Sequence, residues 1–520
     1  MEMDLNSQHQ LVSRLLETSA FGNVASDVEH LQTHISHVIL AGDFAFKIKK
    51  PLDLGFLDFS TLERRKFCCE EELRLNSRLA PELYLEVVPI TGSLQTPVLA
   101  GDGDVLEYAV KMRRFPQTGL LSEVPPDRET LLRLAGLVAG FHQSIPMAEA
   151  STNFGIPERV LYPMLENFRQ IREIGVGSLD TQRLDVLETS TREREEQLND
   201  LLERRKREGH IRECHGDMHL GNITRYEGRL EVFDGIEFNP NLSWIDCFND
   251  IAFLLMDLEY RGLPREAALF LNEYLAQTGD YEGLPLLRFY QIYRAMVRAK
   301  VAAIMASQMG QDEPRREQTI REFFGYLELA ERYTRPNEPV LFITHGLSGS
   351  GKSLFSGWLA ENLPTLRLRS DVERKRLFTT PAQTEGLEQG IYSADATRQT
   401  YARLRELAAG VLGAGHSAIV DATFLKAEQR RPFAELADEM RLPYLILDCV
   451  APQAVLESRI QTRQAEGADP SDASLEVLRL QMENREPLND SESARRIEVD
   501  TTDFPPSGLL QRVAEYLPRS

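Results

Sequence analysis

The chain has 520 residues, 42% of them hydrophobic and 27% charged, which excludes a disordered chain and exceeds what one ordinary core would use. A formal net charge of −21 argues against a surface that binds nucleic acid throughout, while leaving room for a local basic site. No apolar run reaches the roughly 18–20 residues of a membrane helix, and the opening MEMDLNSQHQ lacks the basic-then-apolar pattern of a signal peptide, so a cytoplasmic protein without membrane contact is expected.

The first predicted elements are strands. HVILAGDFAFKIKK reads as a hairpin turning at Gly42-Asp43. Its second strand carries Lys47 and Lys49 on one face, either of which can meet phosphate oxygens. Lys47 is preferred, because Lys49 and Lys50 abut Pro51 and read as a solvated end. The helical STLERRKFCCEEELRLNSRLAP then offers Glu72 as the carboxylate that fixes the lysine, against the alternative of one more acid on a charged helix. EYAVKMRRFP, Glu107 to Pro116, is the expected hinge before a larger helical lobe that begins near Leu131.

ECHGDMHLGNITRYEGRLEVFDG carries the densest chemistry. Asp217 and Asn222 stand at the spacing of the kinase catalytic loop HRDxxxxN, with Gly216 in place of Arg. An Asp there orients or deprotonates a hydroxyl, an Asn ligates Mg²⁺, and Asp234, followed by Gly235, stands where the DFG aspartate holds metal. His219, with no second His at helical spacing, reads as packing. Trp244, Asp246 and Asp250 read as structural, Asp250 as a helix cap.

On HGDMHLGN and VFDG, residues 20–330 resemble the aminoglycoside phosphotransferase-like family, relatives of protein kinases that phosphorylate small-molecule hydroxyls. There is no GxGxxG loop and no APE segment, so the resemblance does not extend to a protein acceptor. It implies a bilobal fold, ATP paired to Lys47 and Glu72, and adenine at the hinge backbone. The cysteines, Cys68 beside Cys69 and Cys214, Cys247 and Cys449 alone, form no CxxC and are expected as reduced thiols.

TRPNEP reads as a linker at 334–339, dividing a first domain (1–333) from a second (340–520). Beyond it VLFITH, LRLRS, SAIVDAT, YLILDCV and RRIEVD alternate with helical stretches, the pattern of a parallel sheet covered on both faces. The fold class expected is thus α+β followed by α/β. In GLSGSGKS the backbone around Gly346, Ser348, Gly349, Ser350 and Gly351 can curl about phosphates, Lys352 can reach the outer ones, and Ser353 can hold Mg²⁺. Asp421 ends an apolar strand where a carboxylate can hold the metal, or caps the next helix. Asp371 ends another, where it can take a proton from an acceptor hydroxyl that Arg374 positions; capping a basic helix is its competing reading. Arg459 and Arg463, at i and i+4, suit a lid over the phosphates or a salt-bridging face.

This second part resembles the P-loop kinases grouped with zeta toxins, polynucleotide 5′-kinases and gluconate kinases. The order of the two halves resembles a bacterial fusion of the two families. The resemblance implies ATP and Mg²⁺ at both halves and transfer to a hydroxyl acceptor. A small metabolite ranks above an aminoglycoside-like polycation or a nucleic-acid 5′-hydroxyl. An ATP-gated regulatory protein with one silent domain is the rival from another class.

Overall fold

The computed structural model describes residues 3–17, 21, 28–55, 57–176, 179–310, 313–378, 393–466, 474–505 and 508–516. They fall into two compact units, one of 1–127, 140–260 and 290–330, the other of 128–139, 261–289 and 331–520.

The first unit holds a sheet of strands β1 (Val28–Gln32), β2 (Ser36–Ala41), β3 (Phe44–Lys49), β4 (Tyr84–Gly92), β5 (Pro97–Leu99) and β6 (Val105–Arg113), in the antiparallel order β1-β2-β3-β6-β4-β5. Gly42, at φ 56°, makes the tight turn between β2 and β3. Alternation along β3 sorts its side chains by face. Phe46 and Ile48 pack with Leu11, Val12 and Leu15 of helix Leu5–Glu17, whereas Ala45 packs with Cys69 of helix Leu62–Asn76. Lys47 and Lys49 share the face of Ala45, so both ammonium groups reach that second helix.

The expected hinge is mostly strand. Val105–Arg113 pairs with β3 on one side and β4 on the other, because its apolar residues fit both neighbours, and only 114–116 lead out of the sheet. Glu107, fully buried, accepts from Arg65 Nε at 2.9 Å and from Gln8 Nε2 at 2.7 Å.

The helical lobe of this unit includes Pro157–Ile174, Thr181–Arg207 and Cys247–Tyr260. Between them, β7 (Ile211–Glu213) pairs with β10 (Trp244–Asp246), and β8 (Ile223–Tyr226) with β9 (Arg229–Val232). These two small ladders present the HGD and VFDG loops.

In the second unit β11 (Leu341–His345), β12 (Thr365–Arg369), β13 (Ser417–Asp421), β14 (Tyr444–Val450) and β15 (Arg496–Asp500) are all parallel, in the order β12-β13-β11-β14-β15. Val340, Phe342, Leu445, Leu447 and Ile497 pack on one face with Phe355 and Leu359 of helix Lys352–Asn362. This unit is not drawn only from residues beyond the linker. Helix Pro264–Thr278 lies along the edge strand β12, where the Asn272 amide donates to the Thr365 carbonyl at 3.0 Å and accepts the Arg367 N–H at 2.8 Å. One side chain thus satisfies edge groups that would otherwise invite another strand. The fold class is α+β in the first unit and α/β in the second.

Candidate active sites

In the first unit the charged groups converge on Glu72. Lys47 Nζ bonds Glu72 Oε1 at 2.8 Å and also Asp234; Lys49 Nζ bonds Glu72 Oε2 at 2.7 Å and also Glu237. Burial alone would pull both ammonium groups down, but Asp234 and Glu72 push Lys47 up, and Glu237 and Glu72 push Lys49 up. Burial would likewise raise Glu72, yet the two lysines hold it at about 2. Lys49 is not the solvated end expected: it is 1% exposed, with its ammonium 5.1 Å from the Phe59 ring centroid. Two like charges on one strand face require two or more carboxylates. Counting charges would have asked for Glu237, which lies in the irregular stretch two residues beyond VFDG.

The VFDG turn is held from two sides. Asp234 has φ 62°, a left-handed conformation that a non-glycine residue adopts at a cost and that clusters at functional sites. Its N–H is accepted by the Tyr84 hydroxyl at 3.1 Å, and the next N–H, of Gly235, by Asn76 Oδ1 at 2.7 Å. The loop and the helix bearing Glu72 are therefore one construction.

The HGD loop is equally fixed. Gly216 has φ 83°, and a Cβ there would stand 2.6 Å from the Leu242 carbonyl oxygen, which is why the Arg of HRD is absent. Asp217 accepts from Asn222 Nδ2 at 3.0 Å, drawing together the two residues of the motif. Burial would raise its carboxyl, but His219 first, then His215 and Arg298, hold it at about 2. His219 is thus more than packing: Nε2 lies 3.6 Å from Asp217 Oδ2, while Nδ1 accepts the Gly221 N–H at 3.1 Å. The loops are tied through His215, whose Nε2 meets the Phe233 carbonyl at 3.0 Å, and through the Phe233 N–H on the Asn222 carbonyl at 2.9 Å.

Asp250 does not cap its helix. It lies inside the first turn and accepts the N–H groups of His215 at 3.1 Å and Gly216 at 2.8 Å; Asp246 does the capping, accepting the Phe248 N–H at 2.8 Å. Sequence reasoning chose the wrong one of two acids four residues apart, because the loop that Asp250 braces is distant in sequence.

In the second unit, Gly346, Gly349 and Gly351 all have positive φ, and a Cβ on Gly346 or Gly349 would strike backbone at 2.5 or 2.8 Å. Only glycine fits this curl. Lys352 Nζ donates to the Leu347 carbonyl at 2.8 Å, and the Ser348 N–H is accepted by Gln481 at 2.8 Å, a contact that no sequence signal announced. Ser350 is buried, its carbonyl accepting from the Thr501 hydroxyl at 2.8 Å; the Ser353 side chain is exposed. Asp421 accepts from Ser356 Oγ at 2.9 Å and Arg367 NH2 at 2.5 Å. Burial would raise it; Arg367 and Lys352 hold it below the usual carboxylate range.

Asp371 is the second residue of helix Ser370–Phe378, not its cap, and accepts from Arg369 at 2.7 Å. Arg374 reaches the Thr397 hydroxyl at 3.5 Å. The Arg459 guanidinium donates to the carbonyls of Gly349 at 3.3 Å and Thr501 at 2.5 Å. The side chain of Arg463 lies outside the described residues.

Both donor sets fit Mg²⁺ and nucleotide. Asn222 and Asp234 in the first unit, and Ser353 and Asp421 in the second, offer the hard oxygens that Mg²⁺ takes, and the curled P-loop offers N–H groups to phosphate.

The AAA domain family model matches residues 341–488. An uncharacterized protein of Mycobacterium tuberculosis is 30% identical over 453 residues, covering 86% of this chain and 88% of that one. The chain belongs to that mycobacterial protein's family. In this member the HGDMHLGN and VFDG loops lie in the N-terminal part, and the matched AAA domain with its parallel sheet lies in the C-terminal part. Among solved structures, a choline/ethanolamine kinase family protein from Mesorhizobium loti is 12% identical, with a TM-score of 0.37 over 63% of this chain and 99% of that one. A gluconokinase from Sinorhizobium meliloti is 21% identical, with a TM-score of 0.26 over 35% and 96%.

Proposed function

We propose that the chain is a two-site ATP-dependent phosphotransferase, in which each half takes Mg·ATP and transfers the γ-phosphate to a hydroxyl of a small metabolite. The observation that carries this reading is the arrangement in the first unit: Lys47 on Glu72 and Asp234, and Asp217 on Asn222. A lysine held by a buried carboxylate supplies fixed positive charge to phosphates, and an acid bonded to the amide beside it receives a hydroxyl proton. Mg²⁺, when bound by Asn222 and Asp234, would neutralise phosphate charge.

In the second half the P-loop N–H groups and Lys352 hold the phosphates, Ser353 and Asp421 hold Mg²⁺, Asp371 takes the acceptor proton and Arg374 orients the acceptor. Arg459 and Arg463 belong to a lid that shifts when nucleotide is present. Residues 334–339 are a covalent linker between the two halves, 1–333 and 340–520.

The test is transfer from γ-labelled ATP by the full chain, against a panel of sugars, nucleosides, amino alcohols, aminoglycosides and 5′-hydroxyl oligonucleotides. Asp217→Asn and Asp371→Asn should each lower transfer to one class of acceptor by roughly 10²–10⁴-fold, with nucleotide affinity little changed. Undiminished transfer by both variants would overturn the assignment.

A further inference from the structure

Behind the HGD loop, a group of side chains converges that takes no part in the chemistry above. His142 lies on helix Arg128–Ser144, Cys214 follows β7, and Cys247 opens helix Cys247–Tyr260. All three are buried, and a ring nitrogen of His142 and the two Sγ atoms lie within 4.8 Å of one another. Zn²⁺ bonded at about 2.0–2.3 Å would hold such donors about 3.5–4 Å apart, so the cluster needs to contract by no more than about an ångström.

We infer that His142, Cys214 and Cys247 form a binding site for one thiophilic cation, Zn²⁺ in the first instance, which fastens the HGD loop to the two helices beneath it. The donor set is the soft kind that selects such ions over Mg²⁺. The histidine also has a carboxylate partner that orients its ring: Nε2 meets Asp250 Oδ2 at 3.1 Å. Asp250 accepts the His215 and Gly216 N–H groups as well, so the bracing of the loop and the orientation of the histidine run through one carboxylate.

Zn²⁺ forms bonds to two thiolates and a neutral imidazole, and the protons they carried leave to solvent, so the buried cluster does not gain net charge.

The experiment uses the full chain, purified under reducing conditions, incubated with Zn²⁺ alone and passed over a chelating resin before metal analysis. About one equivalent should remain, falling at least tenfold in Cys214→Ser and unchanged in Cys449→Ser, whose thiol belongs to the other unit. Because a buried substitution can also prevent folding, Co²⁺ is added to the unmodified chain as a second measurement. Thiolate-to-Co²⁺ charge-transfer absorption that Zn²⁺ abolishes is the expected signature. Retention of less than about a tenth of an equivalent by the unmodified chain, equal retention by a folded Cys214→Ser, or a Cys214–Cys247 disulfide in freshly reduced and purified protein would each overturn the site.

Discussion

Glu72 is the residue on which the first site turns, since one carboxylate answers two ammonium groups on the same strand face. Its folded pKa of about 2 lies below the ordinary 4.5, so its contribution to stability is complete above pH 4.5 and is lost as pH falls through about 2. In Glu72→Gln that contribution is missing at every pH. The expected outcome is a variant less stable than the parent by about 3–5 kcal/mol at neutral pH, the scale for breaking a buried pair. The gap should narrow as pH drops from 4.5 toward 2, measured by urea unfolding of both proteins across that window. A gap independent of pH would show that Glu72 acts by packing alone. Lys47 was chosen from the sequence for its apolar surroundings, and it is the lysine that also reaches Asp234. The role of Lys49 was illegible, because its second partner, Glu237, lies 188 residues away in an irregular stretch.

At the scale of elements, what was legible had a period or a motif. The five strands after the linker alternate with helices and all appear, in parallel; the Gly42-Asp43 turn joins β2 and β3; HGDMHLGN and VFDG fold as two loops bound to each other. What was not legible depended on edges and distant partners. Glu107 to Arg113 was read as hinge, although it is a central strand paired on both sides. The cover on β12 comes from Asn272, in a helix assigned from sequence to the first domain. No local signal marks an asparagine that will meet a strand edge. Asn272→Ala should leave the Arg367 N–H and Thr365 carbonyl without that amide, at a cost of about 1–3 kcal/mol. It should also loosen Arg367, whose guanidinium holds Asp421. Faster hydrogen exchange at the Arg367 amide, with weaker nucleotide binding at the P-loop, is the expected result; unchanged exchange would mean that the edge is protected otherwise. A fragment starting at the linker lacks Asn272, which is why each test uses the full chain.

Across the whole molecule, a net charge of −21 makes the proposed nucleotide binding a local matter: ATP would have to find positive groups in an acidic background. Lys47 supplies such a group in one unit, and Lys352 and Arg367 in the other, each already bonded to oxygen atoms of its own loop or carboxylate. Two independent Mg·ATP sites are the central claim, and stoichiometry tests it most directly. Calorimetric titration of the full chain with Mg²⁺ and a non-hydrolysable ATP analogue should give two nucleotides per chain. Asp234→Ala and Lys352→Ala should each reduce that to one, and the double variant to none. One nucleotide per unmodified chain, or a count that neither substitution changes, would contradict it.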